Sequence, residues 1–146
     1  AIVSASPIEI LLVEDNLGDI RLTTEAFKEG KLLNHITVMR DGTEAQAYLR
    51  KQANYSDAIR PDLILLDLNL PKKDGRALLA EIKADEDLKH IPVIVLTTSE
   101  AEQDILRSYQ LHANCYITKP VDMEQFMKVI KYVEGYWFSI VRLPPR

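Results

Sequence analysis

Apolar residues in this chain gather into five short runs separated by longer mixed stretches: "IEILLV" from Ile8, "ITVM" from Ile36, "LILL" from Leu63, "VIVL" from Val93 and "CYIT" from Cys115. Each run is too short for a buried helix and most are rich in Ile and Val, which predicts strands. Helical spacing occupies the stretches between them. Phe126, Val129, Ile130 and Val133 stand at i, i+3, i+4 and i+7, and Leu78, Leu79 and Ile82 share one side behind the Asp74-Gly75 turn. Ser99 precedes Glu102 at a capping-box spacing ahead of Ile105, Leu106 and Tyr109.

Five rounds of strand and helix predict an α/β fold, a doubly wound five-stranded parallel sheet with five helices covering both faces. The strands show no polar alternation, which agrees with burial of both faces. Right-handed crossovers place two helices on one face and three on the other. "QANYSDAIRPD" is expected as an exposed loop before the third strand. The whole chain, 1–146, is expected to be one domain, with a core over about 8–135 and a C-terminal extension over 136–146.

Composition narrows the class without changing this picture. The 146 residues are 47% hydrophobic and 27% charged, the profile of a globular domain with a sizeable core. A net charge of −4 with scattered basic residues argues against a nucleic-acid footprint; the densest basic cluster is Lys72, Lys73 and Arg76. No apolar stretch approaches the roughly 18 residues of a membrane span, so no membrane partner is expected. The start has no basic segment ahead of its apolar one and does not read as a signal peptide. One cysteine, Cys115, excludes an internal disulfide framework and suits a reducing compartment, so a cytoplasmic location is expected.

Ligands of open α/β sheets bind beyond the carboxyl ends of the strands, so the residues after each run carry the chemistry. Glu14 and Asp15 follow the first strand, Asp67 ends the third, Thr97 and Thr98 end the fourth, and Lys119-Pro120 follows the fifth. The second strand offers only Arg40 and Asp41, as expected of an uninvolved edge. Carboxylates held together repel one another and invite a hard cation. Mg²⁺ suits a few carboxylate oxygens beside a phosphate. Asp67, in the middle, is placed as a nucleophile for aspartyl-phosphate formation. In-line phosphoryl transfer then requires mainly positioning and charge neutralisation. The cation and Lys119 supply two neutralising contacts; the Thr97 hydroxyl and a backbone N–H near Thr98 supply a third.

These spaced motifs, spread over roughly Ile8 to Gly135, resemble the response-regulator receiver domains of two-component signalling, the CheY-like fold. The resemblance implies a strand order 2-1-3-4-5 and gives each residue a role. Glu14 and Asp15 are the acidic pair, Asp67 the phosphoacceptor, and Asn69 the donor of a backbone carbonyl to Mg²⁺. Thr97 becomes the switch hydroxyl, Lys119 the site lysine and Tyr116 the switch aromatic three residues before it. It also implies a cis peptide at Lys119-Pro120. "LDLNLPKKDGR", "SYQLHANCYITKP" and "VRLPP" are similar to the small response regulators that serve cyanobacterial phytochromes, the Rcp type. That similarity implies a phytochrome histidine kinase as partner, a tendency to dimerise, and no output domain. Phosphorylation is then expected to bias a two-state surface around the fourth helix, fifth strand and last helix.

The chemistry has competing explanations. A haloacid-dehalogenase-like phosphatase also uses a strand-end Asp, Mg²⁺, a Thr and a Lys, but needs a general acid two residues on, where this chain has Asn69. A pseudo-receiver acting only as a docking module would normally have lost an acid or the lysine. Asp67 and Lys119 alone could be a structural ion pair, which leaves Glu14 and Asp15 unexplained. Lys72 and Lys73 are most simply a solvated loop, and His35, His90 and His112 have no ligand spacing. In the tail, Tyr136, Trp137, Phe138, Ile140, Val141 and Leu143 carry more apolar surface than a closing helix requires. Exposed apolar clusters mark interfaces, so a homodimer through the last helix and Tyr136, Trp137, Phe138 and Val141 is expected.

Overall fold

Each apolar run forms a strand, and polar residues start the helices between them. The computed structural model describes residues 7–30, 33–98 and 115–132. Chain order is β1 (Ile8–Val13), α1 (Leu17–Glu29), β2 (Asn34–Met39), α2 (Gly42–Leu49), a 3-10 turn (Ala53–Tyr55), β3 (Leu63–Asp67), α3 (Gly75–Ala84), β4 (Val93–Thr97), β5 (Cys115–Thr118) and α4 (Met123–Tyr132). All strand pairs are parallel and the sheet order is β2-β1-β3-β4-β5. Chain direction across the sheet reverses between β1 and β3, so their carboxyl ends flank the switch point where such folds bind ligands.

Helix starts follow from side-chain caps. Asn16 accepts from the Asp19 N–H at α1, Asp41 from Glu44 N–H at α2, and Asp74 from Arg76 N–H at α3. Each satisfies an amide with no partner within its helix.

Two apolar layers sandwich the sheet. On one face α2 and α3 bring Ala45, Leu49, Leu78, Leu79 and Ile82 against Leu11, Val13, Ile64, Leu66, Val93 and Val95. On the other, Phe27 of α1 and Phe126 of α4 meet edge-to-face at 4.7 Å over Ile10, Leu12, Leu65, Leu96 and Ile117. Residues along β3 alternate between these layers, and all five are buried, as a strand without polar alternation requires. The four described helices divide two and two. The helix predicted behind Ser99 lies outside the described residues, as do Val133 and the apolar tail residues Tyr136, Trp137, Phe138 and Val141. "QANYSDAIRPD" is a largely exposed connection, as expected, with one 3-10 turn inside it.

The β3–α3 connection is more structured than a solvated loop. Lys72 adopts a left-handed φ of 64° and its ammonium lies 3.5 Å from Asp41. Lys73 pairs with Glu81 at 2.6 Å. Only Lys72 keeps most of its side chain in solvent, so the pair anchors this connection to α2 and α3. At its end Gly75 donates its N–H to Leu68 O at 3.0 Å. A Cβ at Gly75 would stand 2.5 Å from Leu68 Cα and 2.7 Å from Asp67 O. Both contacts are rigid backbone, so Gly75→Ala must push α3 off the end of β3. We expect it to cost about 1–3 kcal/mol, read as a lower urea midpoint at unchanged slope; a midpoint within error of the parent's would contradict this close approach.

Candidate functional site

The carboxyl ends of β1, β3, β4 and β5 meet around one ammonium group. Val13 ends β1, and the Glu14 N–H continues the ladder to Met39 O at 3.0 Å, which turns the Glu14 side chain into the protein. Glu14 is fully buried and its Oε2 accepts from Asn16 N–H at 3.2 Å. Asp67, the last residue of β3, is 5% exposed and its Oδ1 accepts from Asn69 N–H at 2.9 Å. The predicted metal contact at Asn69 uses its carbonyl; the N–H at the same residue holds the Asp67 carboxylate.

Lys119 stands at the centre. Its backbone N–H donates to Thr97 O at 2.7 Å, tying the residue after β5 to the end of β4. Its ammonium donates to Asp67 Oδ2 at 2.7 Å and Asp19 Oδ2 at 3.0 Å. It also lies 2.7 Å from Glu14 Oε1, a charge contact outside hydrogen-bond alignment. The Lys119-Pro120 peptide is cis, as the resemblance implied. Gln125 braces this connection, its Nε2 donating to Thr118 O at 3.1 Å, Pro120 O at 3.2 Å and Asp122 Oδ2 at 2.9 Å.

Three acids therefore contact one base, with the Asp15 carboxylate beside two of them. Burial, and next the Asp67 carboxylate, push the Glu14 carboxyl up to about 7 against the opposing pull of Lys119 and the Asn16 N–H. Burial pulls the Lys119 ammonium down, but Asp67, Glu14 and Asp19 outweigh it and hold its pKa above the ordinary lysine value. The same residues fit a hard divalent cation. One carboxylate oxygen from each of Glu14, Asp15 and Asp67 lies within 4.8 Å of the others, and the Asp15 carboxylate has no ion-pair or hydrogen-bond partner among the described residues. Excess negative charge, hard oxygen donors and one free carboxylate are what such an ion selects.

Thr97 is fully buried at the end of β4 and pairs in register with Thr118, whereas Thr98 is exposed just beyond it. Tyr116 lies in register with Val95 and packs, partly buried, on the α2–α3 layer. Glu14, Asp15, Asp67, Thr97 and Lys119 are thus gathered at one rim. Two contributors were not foreseen. Asp19 reaches Lys119 from the first turn of α1, and its only sequence trace is the Asn16-x-x-Asp19 cap spacing. Arg40, from the edge strand read as uninvolved, donates to Asp15 O at 3.2 Å.

The receiver-domain model of the response regulators matches residues 10–131. Response regulator Rcp1 of Synechocystis sp. is 50% identical over 141 residues, 97% of this chain and 96% of Rcp1. Among solved structures, the phosphorylated cyanobacterial phytochrome response regulator RcpA is 54% identical with a TM-score of 0.73, covering 92% of this chain and 96% of that one. The Mn²⁺-bound form of Rcp1 is 50% identical with a TM-score of 0.72, covering 90% and 94%. A phosphatase or a docking module without the acids and lysine is disfavoured by these matches and by the intact rim. The chain belongs to the response-regulator receiver family of two-component signalling, in the company of the phytochrome response regulators.

Proposed function

We propose that Asp67 accepts a phosphoryl group from the phosphohistidine of a phytochrome-type histidine kinase. The observation that carries this reading is the Lys119 ammonium 2.7 Å from Asp67 Oδ2, with Glu14 and Asp15 beside it. An Asp67 oxygen forms the new P–O bond as the donor's bond to phosphorus breaks and its leaving group departs. Lys119 neutralises one equatorial oxygen, and the Thr97 hydroxyl with a backbone N–H near Thr98 takes another. Glu14, Asp15, Asp67 and the Asn69 carbonyl would hold Mg²⁺, which would supply positive charge to neutralise the phosphoryl oxygens among these carboxylates. The relatives support this assignment: RcpA is known in a phosphorylated form and Rcp1 in a Mn²⁺-bound form.

Thr97 moving toward the phosphoryl group frees space for Tyr116, which carries the signal to the surface over β5 and α4. The altered surface changes recognition by another protein, including a second copy docked through α4 and Tyr136, Trp137, Phe138 and Val141 of the tail. The location is cytoplasmic, where the kinase's phosphohistidine is available.

Intact mass after incubation with acetyl phosphate tests the core of this reading. The parent should gain one phosphoryl group with Mg²⁺ and none without it, and Asp67→Asn should gain none. No adduct on the parent at any time, with rapid hydrolysis excluded by a phosphate-release assay, would make the chain a docking module that does not use its acidic rim.

A further inference from the structure

Asp19 is the site carboxylate that neither the cation cluster nor the covalent chemistry uses. It falls outside the three acids able to share a cation, yet its Oδ2 accepts from Lys119 at 3.0 Å. The α1 cap puts it there, because Asn16 Oδ1 holds the Asp19 N–H at 2.9 Å and fixes the first helical turn beside the rim. Lys119, on its side, is fixed at the backbone by Thr97 O and by the Gln125 brace. Only its ammonium is free to choose among acceptors.

That ammonium already has three carboxylate oxygens within 3.0 Å, so an incoming phosphoryl oxygen reaches it by displacing one of them. Glu14 and Asp67 leave 1% and 8% of their side chains exposed, and Asp19 leaves 31%. A buried carboxylate stripped of its cation is strongly disfavoured, whereas a part-exposed one is taken over by water at little cost. Asp19 is therefore the acceptor that yields.

We propose that Asp19 is a positioning residue that holds Lys119 on the α1 side of the site and releases it to the phosphoryl group, so that it restrains phosphoryl uptake. This rests on Asp67 being the phosphoacceptor. Removing the Asp19 charge frees the ammonium in advance and makes phosphoryl uptake easier, the opposite of what damage to the site would do.

The test is the rate of phosphoryl uptake from acetyl phosphate at saturating Mg²⁺, followed by intact mass. Asp19→Asn should raise the second-order rate constant about two- to fivefold, the range a part-exposed ion pair carries. Asp19→Ser, too short to reach Lys119 and still suited to a first helical turn, should do the same. Glu25→Gln removes an equal charge from the exposed side of α1, where Glu25 pairs with Arg21 at 3.2 Å, and should leave the rate at the parent value. Mn²⁺ affinity by electron paramagnetic resonance should stay within about twofold in both Asp19 variants.

An unchanged or lower rate constant in both Asp19 variants overturns the proposal, since Asp19 would then be idle or would align Lys119 productively. A rise in Glu25→Gln equal to that in Asp19→Asn overturns it in favour of bulk charge. Tenfold weaker Mn²⁺ binding overturns it by moving Asp19 into the cation site. No uptake by the parent itself removes the phosphoacceptor assignment, an outcome distinct from all of these, and the proposal with it.

Discussion

Lys119→Met is expected to lower the stability of the metal-free protein by about 3–5 kcal/mol at pH 8, the cost of leaving buried charge without its partner. The site gives a specific reason for so large a value. One lysine, its side chain 12% exposed, serves Glu14, Asp19 and Asp67 at 2.7, 3.0 and 2.7 Å. Met fills most of the same volume, so the loss reports charge rather than a cavity. Domains of this size are stable by only about 5–15 kcal/mol, so a large share of the total would be lost.

The pH dependence has a definite sign. An ammonium held above its ordinary pKa contributes fully below 10.5 and loses that contribution only as pH rises past its folded value. Lys119 itself therefore adds no slope between pH 6 and 8. Glu14 does: at pH 6 it carries a proton, one fewer charge is stranded, and the loss in the variant should be smaller than at pH 8. Mg²⁺ at about a hundred times its Kd should return up to roughly 3 kcal/mol in either protein if the cluster still binds it. Urea denaturation at both pH values, with and without Mg²⁺, reads all of this. A loss under about 1 kcal/mol at pH 8 would mean that water already shields the three acids. The variant retains Asp67 and the acid cluster, so it should still take up the phosphoryl group, more slowly than the parent, while lacking the ammonium proposed here to help draw the surface into its switched state.

The strands were readable because their apolar runs coincide with burial. "IEILLV" and "CYIT" match β1 and β5 residue for residue, and β2 starts two residues ahead of its run because Asn34 and His35 pair with Ile8 and Glu9. α3 and α4 announce themselves by spacing, whereas the two residues α1 buries, Thr23 and Phe27, include a polar one and leave a weaker apolar signal. Strand-end chemistry was also readable, because parallel topology brings carboxyl ends together whatever lies between them. Asp19 and Arg40 were not: each joins through a long-range contact, to Lys119 and to Asp15, that no local pattern encodes. Nor was the anchoring of Lys72 and Lys73, which depends on where Asp41 and Glu81 come to rest in three dimensions.

Divalent-cation binding should displace a proton, and this is the second large effect. In the metal-free protein burial and the Asp67 carboxylate push Glu14 up to about 7 from an ordinary 4.5. A carboxyl raised in this way stabilises the fold while protonated, below its unfolded value, and that contribution is lost as pH rises through about 7. The penalty above that pH is on the order of 3 kcal/mol, and a cation that needs the carboxylate oxygen removes it. Apparent affinity for Mg²⁺ or Mn²⁺ should thus rise roughly thirtyfold between pH 5.5 and 8, steeply below 7 and flat above. Calorimetry in buffers of different ionisation enthalpy should find about one proton released per cation at pH 6 and nearly none at pH 8. Glu14→Gln should abolish the linkage, weaken cation binding and stabilise the metal-free protein at pH 8, because it keeps an oxygen beside Lys119 and discards the buried charge. Flat affinity across that range would place Glu14 outside the cation site and leave Asp15 and Asp67 to hold the ion alone.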